Sequence, residues 1–273
     1  MKSKEFKGKA IYNPSGKAGE YSVWACNFYV GCSNGCTYCY LKKGRGAKIL
    51  GGATPTLKSC FKNEAHAMEI FDRELLKNLD ELKKHGLFFS FTTDPMLDET
   101  IELTQLAARF CLVYDIPVKI LTKRTQWVYP FLKELVNNDT IWNLDWQYKY
   151  QIAFGFTLTG HDDLEPNACA HSERIKVMEM LNREGIKTFA SIEPIISFQA
   201  SLNMINQTVD FCDLYKVGLE SGKKYDVVEG QTFVERLMEL DNPVYLKESL
   251  QKLTHYTNAD SENFVERDFN LFE

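Results

Sequence analysis

From about residue 64 onward, short runs rich in β-branched and aromatic residues alternate with stretches of helical period, the pattern of consecutive βα units rather than of a sandwich or a helical bundle. Met68, Phe71, Leu75, Leu79 and Leu82 recur at three- and four-residue steps, predicting one helix that Gly86 ends. A strand is expected at once, over Leu87 to Thr92. Asp98 is placed to cap a second helix carrying Leu103, Leu106, Phe110 and Val113, and Pro117 breaks it before a strand over Val118 to Leu121. The pattern then repeats. Phe131 to Leu135 reads as helix and Gln151 to Thr159 as strand. A helix with Ile175, Met178 and Leu181 ends at Gly185, ahead of a strand over Lys187 to Ile192. A short helix near Leu202 to Val209 and a strand over Leu214 to Leu219 follow. With one strand near the start, Ser22 to Val30, this makes six βα units. A helix around Phe233 to Leu240 and a seventh strand-like run, Pro243 to Lys247, extend the series.

Such a succession predicts an α/β fold in one domain, either a doubly wound sheet or a (β/α) barrel. Polar residues where strands end favour the barrel: Thr92, Thr93 and Asp94; Thr122 and Lys123; Thr157 and Thr159; Ser191 and Glu193; Glu220 and Ser221. In barrels the carboxyl ends of several strands converge on one site. We therefore expect a partial (β/α)6-type TIM barrel over residues 22–250, preceded by a basic segment (1–21) and followed by an acidic tail (251–273). Residues 137–150, with two Trp and two Tyr among turn formers, fit neither period and read as an ordered excursion packed by its own aromatics.

The chain has 273 residues, of which 44% are hydrophobic and 25% charged, enough to bury a large core. No apolar run approaches the roughly 18 residues of a membrane span, and the lysine-rich start has no apolar stretch behind it, so a cytoplasmic protein without membrane contact is expected. The net charge of -5 conceals an asymmetry. Residues 1–62 hold eleven Lys/Arg against two Glu, and the remainder holds 21 against 35 Asp/Glu. Lys42, Lys43, Arg45 and Lys48 form a basic loop that is either a solvated face or a positive field for an anionic substrate.

That loop follows the densest chemistry in the chain. Three of the eight cysteines, Cys32, Cys36 and Cys39, crowd into GCSNGCTYCY as C-x3-C-x2-C. Three thiolates at this spacing can wrap a small iron-sulfur cluster and leave one iron open for a further ligand. A Cys3His zinc site is the alternative, but His66, His85, His161, His171 and His255 lack an adjacent finger-like spacing. Of the other cysteines, Cys111 reads as helical and buried, whereas Cys60 and Cys169 fall in loops where a redox role is open; Cys26 and Cys212 are scattered.

C-x3-C-x2-C with an aromatic, Tyr38, before its last cysteine, after a first strand and ahead of a βα succession, resembles the radical S-adenosylmethionine (radical SAM) superfamily. FTTDP at Phe91 to Pro95, ILTK at Ile120 to Lys123, FTLT with Glu165-Pro166, and FASIEP at Phe189 to Pro194 are similar to its spore photoproduct lyase-like (DNA repair photolyase-like) branch. The resemblance implies that Cys32, Cys36 and Cys39 hold a [4Fe-4S] cluster whose open iron takes S-adenosylmethionine. It puts Tyr38 against the adenine, Thr92 and Thr93 at the methionyl amino group, Lys123 at the methionyl carboxylate and Thr157 near the ribose. It further implies reductive cleavage to a 5′-deoxyadenosyl radical that abstracts hydrogen from a substrate, and a reductant such as flavodoxin or ferredoxin as partner. Nucleic acid is the favoured substrate; a small metabolite or peptide is the alternative. An iron-sulfur sensor or electron carrier that does not use S-adenosylmethionine is the non-enzymatic reading. The chain departs from the lyase at Phe91, which stands where the lyase carries its hydrogen-donating cysteine.

Overall fold

In the computed structural model, which describes residues 5–43, 46–137 and 146–272, one eight-stranded sheet organises the chain. Its strands are β1 (Ile11–Tyr12), β2 (Ala25–Cys26), β5 (Leu87–Phe89), β6 (Val118–Thr122), β7 (Ile152–Thr157), β8 (Lys187–Ile195), β9 (Tyr215–Leu219) and β10 (Val244–Leu246), side by side in that order. All neighbours pair in parallel except β1, which lies antiparallel on β2. The seventh strand-like run is therefore a real strand, β10, paired with β9. Two further strands, β3 (Tyr29–Val30) and β4 (Thr56–Leu57), form a separate antiparallel pair that frames the cysteine loop.

The helices are α1 (Gly16–Gly19), α2 (Ala47–Leu50), α3 (Glu64–Lys77), α4 (Leu79–His85), α5 (Ile101–Val113), α6 (Val128–Asn137), α7 (His171–Arg183), α8 (Phe198–Asn206), α9 (Val227–Met238) and α10 (Glu248–Thr254). The large helices supply crossovers between parallel strands, as the alternating periods required.

Strand alternation divides the burial in two. Val118, Ile120, Phe154, Phe156, Ala190, Ile192, Tyr215 and Val217 belong to the large core that the helices cover. The intervening positions face inward. Ala25, Phe88, Ala153, Phe189 and Leu214 form a smaller inner cluster, and farther along the same strands the inward positions become polar: Thr157 on β7, Ser191 and Glu193 on β8. The inside of the sheet is thus apolar at the amino ends of the strands and polar at their carboxyl ends.

Both flanking segments join this body. After β1, the chain lies against β9 and β10: Lys17 Nζ donates to the Leu219 carbonyl at 2.7 Å, and the Glu20 carboxylate accepts from the Glu248 amide at 2.7 Å. At the other end Val265 donates to Val244, and Leu271, Phe269 and Phe272 pack on the inner cluster.

Several expectations need correction. The run Ser22 to Val30 is two strands in two sheets, because Asn27 interrupts it: its amide donates to the Ala10 carbonyl and its side chain bridges Tyr12 and the Phe91 amide. The helix expected from Met68 to Leu82 is α3 followed by α4, parted at Asn78, whose backbone amide donates to the Leu75 carbonyl and whose side-chain amide donates to the Glu74 backbone carbonyl. The second helix starts at Ile101 rather than after Asp98, since the Thr100 hydroxyl turns back to the Asp94 carbonyl. The eighth helix starts earlier than expected, at Phe198, capped by Ser197. Of the aromatic excursion, 138–145 lie outside the described residues and Trp146–Gln151 is a short 3-10 helix.

Candidate active site

The polar carboxyl ends and the cysteine loop enclose one cavity of about 310 Å³. Cys32, Cys36, Cys39, Tyr38, Thr93, Lys123 and Thr157 all line it, so residues spread over 125 positions of sequence meet in one place. Thr92 does not line it; its hydroxyl donates to the Tyr29 carbonyl at 2.6 Å.

Two glycines let the cysteine loop lie flat on its surroundings. Gly31 and Gly35 have φ of 84° and 73°, in the left-handed region. A Cβ on Gly31 would stand 2.5 Å from the Thr54 carbonyl oxygen, and one on Gly35 would press the Asn167 side chain at 3.1 Å. Either substitution therefore meets backbone strain, and at Gly31 a clash with the backbone as well. The loop is tied down at Cys32, whose amide donates to the Gly52 carbonyl at 2.9 Å, and at Thr37, whose amide donates to that of Leu164 at 3.0 Å.

Asp94, at the end of the β5 strand–loop unit, is the hub that the motif reading missed as a site residue. Its two carboxylate oxygens accept four bonds: from Asn34 Nδ2 (2.7 Å), Thr122 Oγ1 (2.6 Å), and the amides of Lys123 (2.8 Å) and Met96 (3.0 Å). A second hub holds Tyr38. Its hydroxyl donates to the buried Glu165 carboxylate, which Arg174 also grips; Arg174 reaches on to the Thr157 carbonyl at 2.8 Å. Burial pushes the Glu165 carboxyl up, but Lys123, Arg174 and the Tyr38 bond outweigh it and hold it below its ordinary value. His171 Nε2 accepts from the amides of Thr159 and Gly160, while Nδ1 faces Asp162, which makes it a structural, neutral histidine; burial and then Arg174 lower its pKa.

The far wall is an ion-pair network between residues far apart along the chain. Lys247, fully buried, bridges Glu193 and Glu20 (3.5 Å), and Tyr21 donates to Glu193 at 2.9 Å beside Ser191. Phe91 stacks on Phe88 with ring centroids 4.6 Å apart and planes 11° apart.

The donor set fits both implied groups. Burial, with the Asp94 charge, pushes the Cys32 thiol up to about 11, and burial raises Cys36 against the opposing pull of Lys123. Thiolates there need a bound cation or cluster to compensate them. Among the described residues no group of three His, Cys, Asp or Glu is arranged around a single metal ion. For S-adenosylmethionine, Thr93 Oγ1 and Asn34 Oδ1 are buried and without a partner among the described residues, suited to an ammonium, and Lys123 lines the same cavity with a cation suited to a carboxylate.

The basic loop is largely engaged with the protein itself. Lys42 donates to the Cys36 carbonyl at 3.2 Å and Lys43 pairs with Glu220 at 2.8 Å; Lys48 is exposed, and Arg45 lies outside the described residues. All eight cysteines are free thiols, with Cys26, Cys36, Cys111, Cys169 and Cys212 buried.

The mostly parallel βα sheet is similar to those of solved radical SAM enzymes, so the expected resemblance holds at the level of fold. Spore photoproduct lyase complexed with dinucleoside spore photoproduct superposes with a TM-score of 0.56 at 15% identity, over 84% of this chain and 64% of that one. A mutant of it with bound AdoMet and the same dinucleoside gives 0.54. Streptococcus suis SuiB bound to S-adenosylmethionine gives 0.53 at 14% identity, over 84% of this chain and 51% of that one. The chain thus spans less than two thirds of the lyase and about half of SuiB. No family model matches the sequence, and no curated protein matches it. Among the described residues no helix is long and apolar enough to cross a membrane.

Proposed function

We propose that this chain is a radical SAM enzyme in which Cys32, Cys36 and Cys39 hold a [4Fe-4S] cluster and the cavity beside them binds S-adenosylmethionine. The observation that carries the reading is the convergence, in one cavity, of the three thiols with two buried side-chain oxygens, Thr93 Oγ1 and Asn34 Oδ1, that have no partner among the described residues, and with the Lys123 cation. Such a cluster, once reduced, supplies the electron that cleaves the sulfonium to methionine and a 5′-deoxyadenosyl radical.

The chain's own residues orient and exclude. Thr93 and Asn34 receive the amino group, and Lys123 pairs with the carboxylate. Tyr38, fixed by Glu165, lies against the adenine, and Thr157, whose carbonyl Arg174 holds, approaches the ribose. Thr92 acts from behind, through its bond to Tyr29. Phe91, Phe88 and Tyr21 give the radical an apolar, water-poor surround. Nucleic acid is the favoured substrate class, supported by the match to a lyase whose structure holds a dinucleoside lesion. With Phe91 in place of a thiol, the lyase's own cysteine relay has no counterpart at that position. The same chemistry on a small metabolite or peptide is the second reading, favoured by the internal pairing of Lys43 and Lys42.

The test is metal content. Protein reconstituted without oxygen should bind about four iron and four sulfide, and Cys32→Ala, Cys36→Ala and Cys39→Ala should each lose them, whereas Cys60→Ala and Cys169→Ala keep them. Stoichiometric zinc, or an intact cluster in Cys36→Ala, refutes the reading.

A further inference from the structure

From the outer face of α5 we infer that this protein self-associates, two copies packing α5 against α5 antiparallel about a two-fold axis level with Leu106. The inner side of this helix is fully used. Leu103, Ala107, Ala108, Cys111 and Leu112 are buried in the large core. What the helix leaves to solvent is an arc of Glu102, Leu106, Phe110 and Val113, edged by the half-buried Arg109. Leu106, Phe110 and Val113 are 42%, 36% and 57% exposed, and their four- and three-residue steps set them in one stripe. On α7, by contrast, the exposed residues are Ser172, Glu173, Lys176 and Arg183. A helix that is apolar on both sides is one that packs on both sides. Among the described residues, nothing covers the second side of α5.

The charges beside the stripe identify the occupant. Neither Glu102 nor Arg109 has an ion-pair partner among the described residues, and about 10 Å of helix axis keeps them from each other. Counted from Leu106, Glu102 lies about 6 Å toward the amino end and about 40° to one side, and Arg109 about 4.5 Å toward the carboxyl end and about 60° to the same side. A two-fold axis level with Leu106 reverses the direction along the helix and keeps the side. It therefore brings Glu102 of one copy to within about 1.5 Å of the height of Arg109 of the other, and symmetry forms the pair twice. Leu106 meets its own copy between the two pairs, with Phe110 on the opposite flank of the seam. A parallel pairing would instead set Glu102 against Glu102 and Arg109 against Arg109. A partner of one charge sign, or a lipid surface, would leave one of the two charges unpaired.

Three apolar side chains and two ion pairs make a smaller contact than a permanent dimer has, so monomer and dimer exchange and concentration sets the balance. No residue of α5 lines the cavity, so association needs no change at the site. The inference is independent of the reaction proposed there.

The experiment is sedimentation equilibrium of the full chain, with a thiol reductant present, over about 5 to 500 µM. Wild type should pass from monomer toward dimer across that range. Phe110→Asp should raise the dissociation constant about tenfold or more. Glu102→Arg and Arg109→Glu should each do the same, because each sets two like-charge pairs across the contact. The double variant Glu102→Arg/Arg109→Glu should return to within about threefold of wild type, a rescue that damage to the fold cannot produce. A chain that is monomeric at every concentration overturns the inference. So does a dimer that the single substitutions leave unchanged, or one that the double variant fails to restore. A monomer that binds phospholipid vesicles through Phe110 would assign the face to a membrane and overturn it as well.

Discussion

The side-chain amide of Asn34, in the middle of the cysteine loop, donates to the carboxylate of Asp94 at 2.7 Å, and the oxygen that receives it also holds the amide of Lys123 at 2.8 Å. One buried carboxylate therefore sets the spacing between the loop proposed to carry the cluster and the strand end proposed to carry the methionyl carboxylate. Four donors converge on its two oxygens, and an amide in its place can accept at one oxygen only. Asp94→Asn should cost about 3 kcal/mol, since at least two charge-assisted bonds are lost and an N–H is turned on a donor. Thermal unfolding measures the stability, and an unshifted midpoint would remove Asp94 from this role.

Lys123 has the sharpest dependence on charge. Lys123→Ala should weaken S-adenosylmethionine binding about 10- to 100-fold, the worth of a hydrogen bond to a charged group, and Lys123→Arg should weaken it less. Titration calorimetry on the anaerobic holoprotein distinguishes them. Equal affinities for wild type and Lys123→Ala would place the carboxylate elsewhere.

Glu165 and Arg174 form a buried pair at the back of the site. Removing one partner leaves the other charge desolvated, so Glu165→Ala should destabilise the protein by about 3–5 kcal/mol. Tyr38→Phe removes one hydrogen bond from the same carboxylate and should cost about 1 kcal/mol. Urea unfolding of the two variants gives the ordering; comparable small losses would contradict a buried, mutually dependent pair.

Lys119, partly buried inside the sheet, is the cross-strand neighbour of Phe88 and Ala153, and burial lowers its pKa to about 8 from 10.5. Between these values the unfolded chain binds more protons than the folded one. Stability should therefore rise with pH across that window, and the full cost of a charged Lys119 is present below it. Lys119→Met should be the more stable protein near pH 7, with its advantage shrinking as pH approaches 10.5. Urea titrations across that range check this, and a pH-independent difference would contradict it.

Much of this was legible in the sequence because it rests on short-range signals. The parallel βα succession follows from alternating periods, and the cysteine triad, Tyr38, Thr93, Lys123 and Thr157 from motifs at strand ends. What was missed depends on contacts far apart in sequence. Asn27 splits the first strand because it meets residues of β1 and the Phe91 amide. Lys247 pairs with Glu193 and Glu20 over separations no local pattern records. Asp94 stood among the polar strand ends, yet its centrality came only with Asn34 and Thr122 folded onto it. The +9 charge of residues 1–62 was visible, but its partial engagement with Glu220 and the Cys36 carbonyl was not.

The most direct test of the account is product formation from S-adenosylmethionine. Holoprotein reconstituted without oxygen, given dithionite and S-adenosylmethionine, should yield 5′-deoxyadenosine and methionine in equal amounts by chromatography, and Cys36→Ala should yield neither. Intact S-adenosylmethionine after reduction of a fully loaded cluster would contradict the proposed chemistry and leave an iron-sulfur protein of another kind.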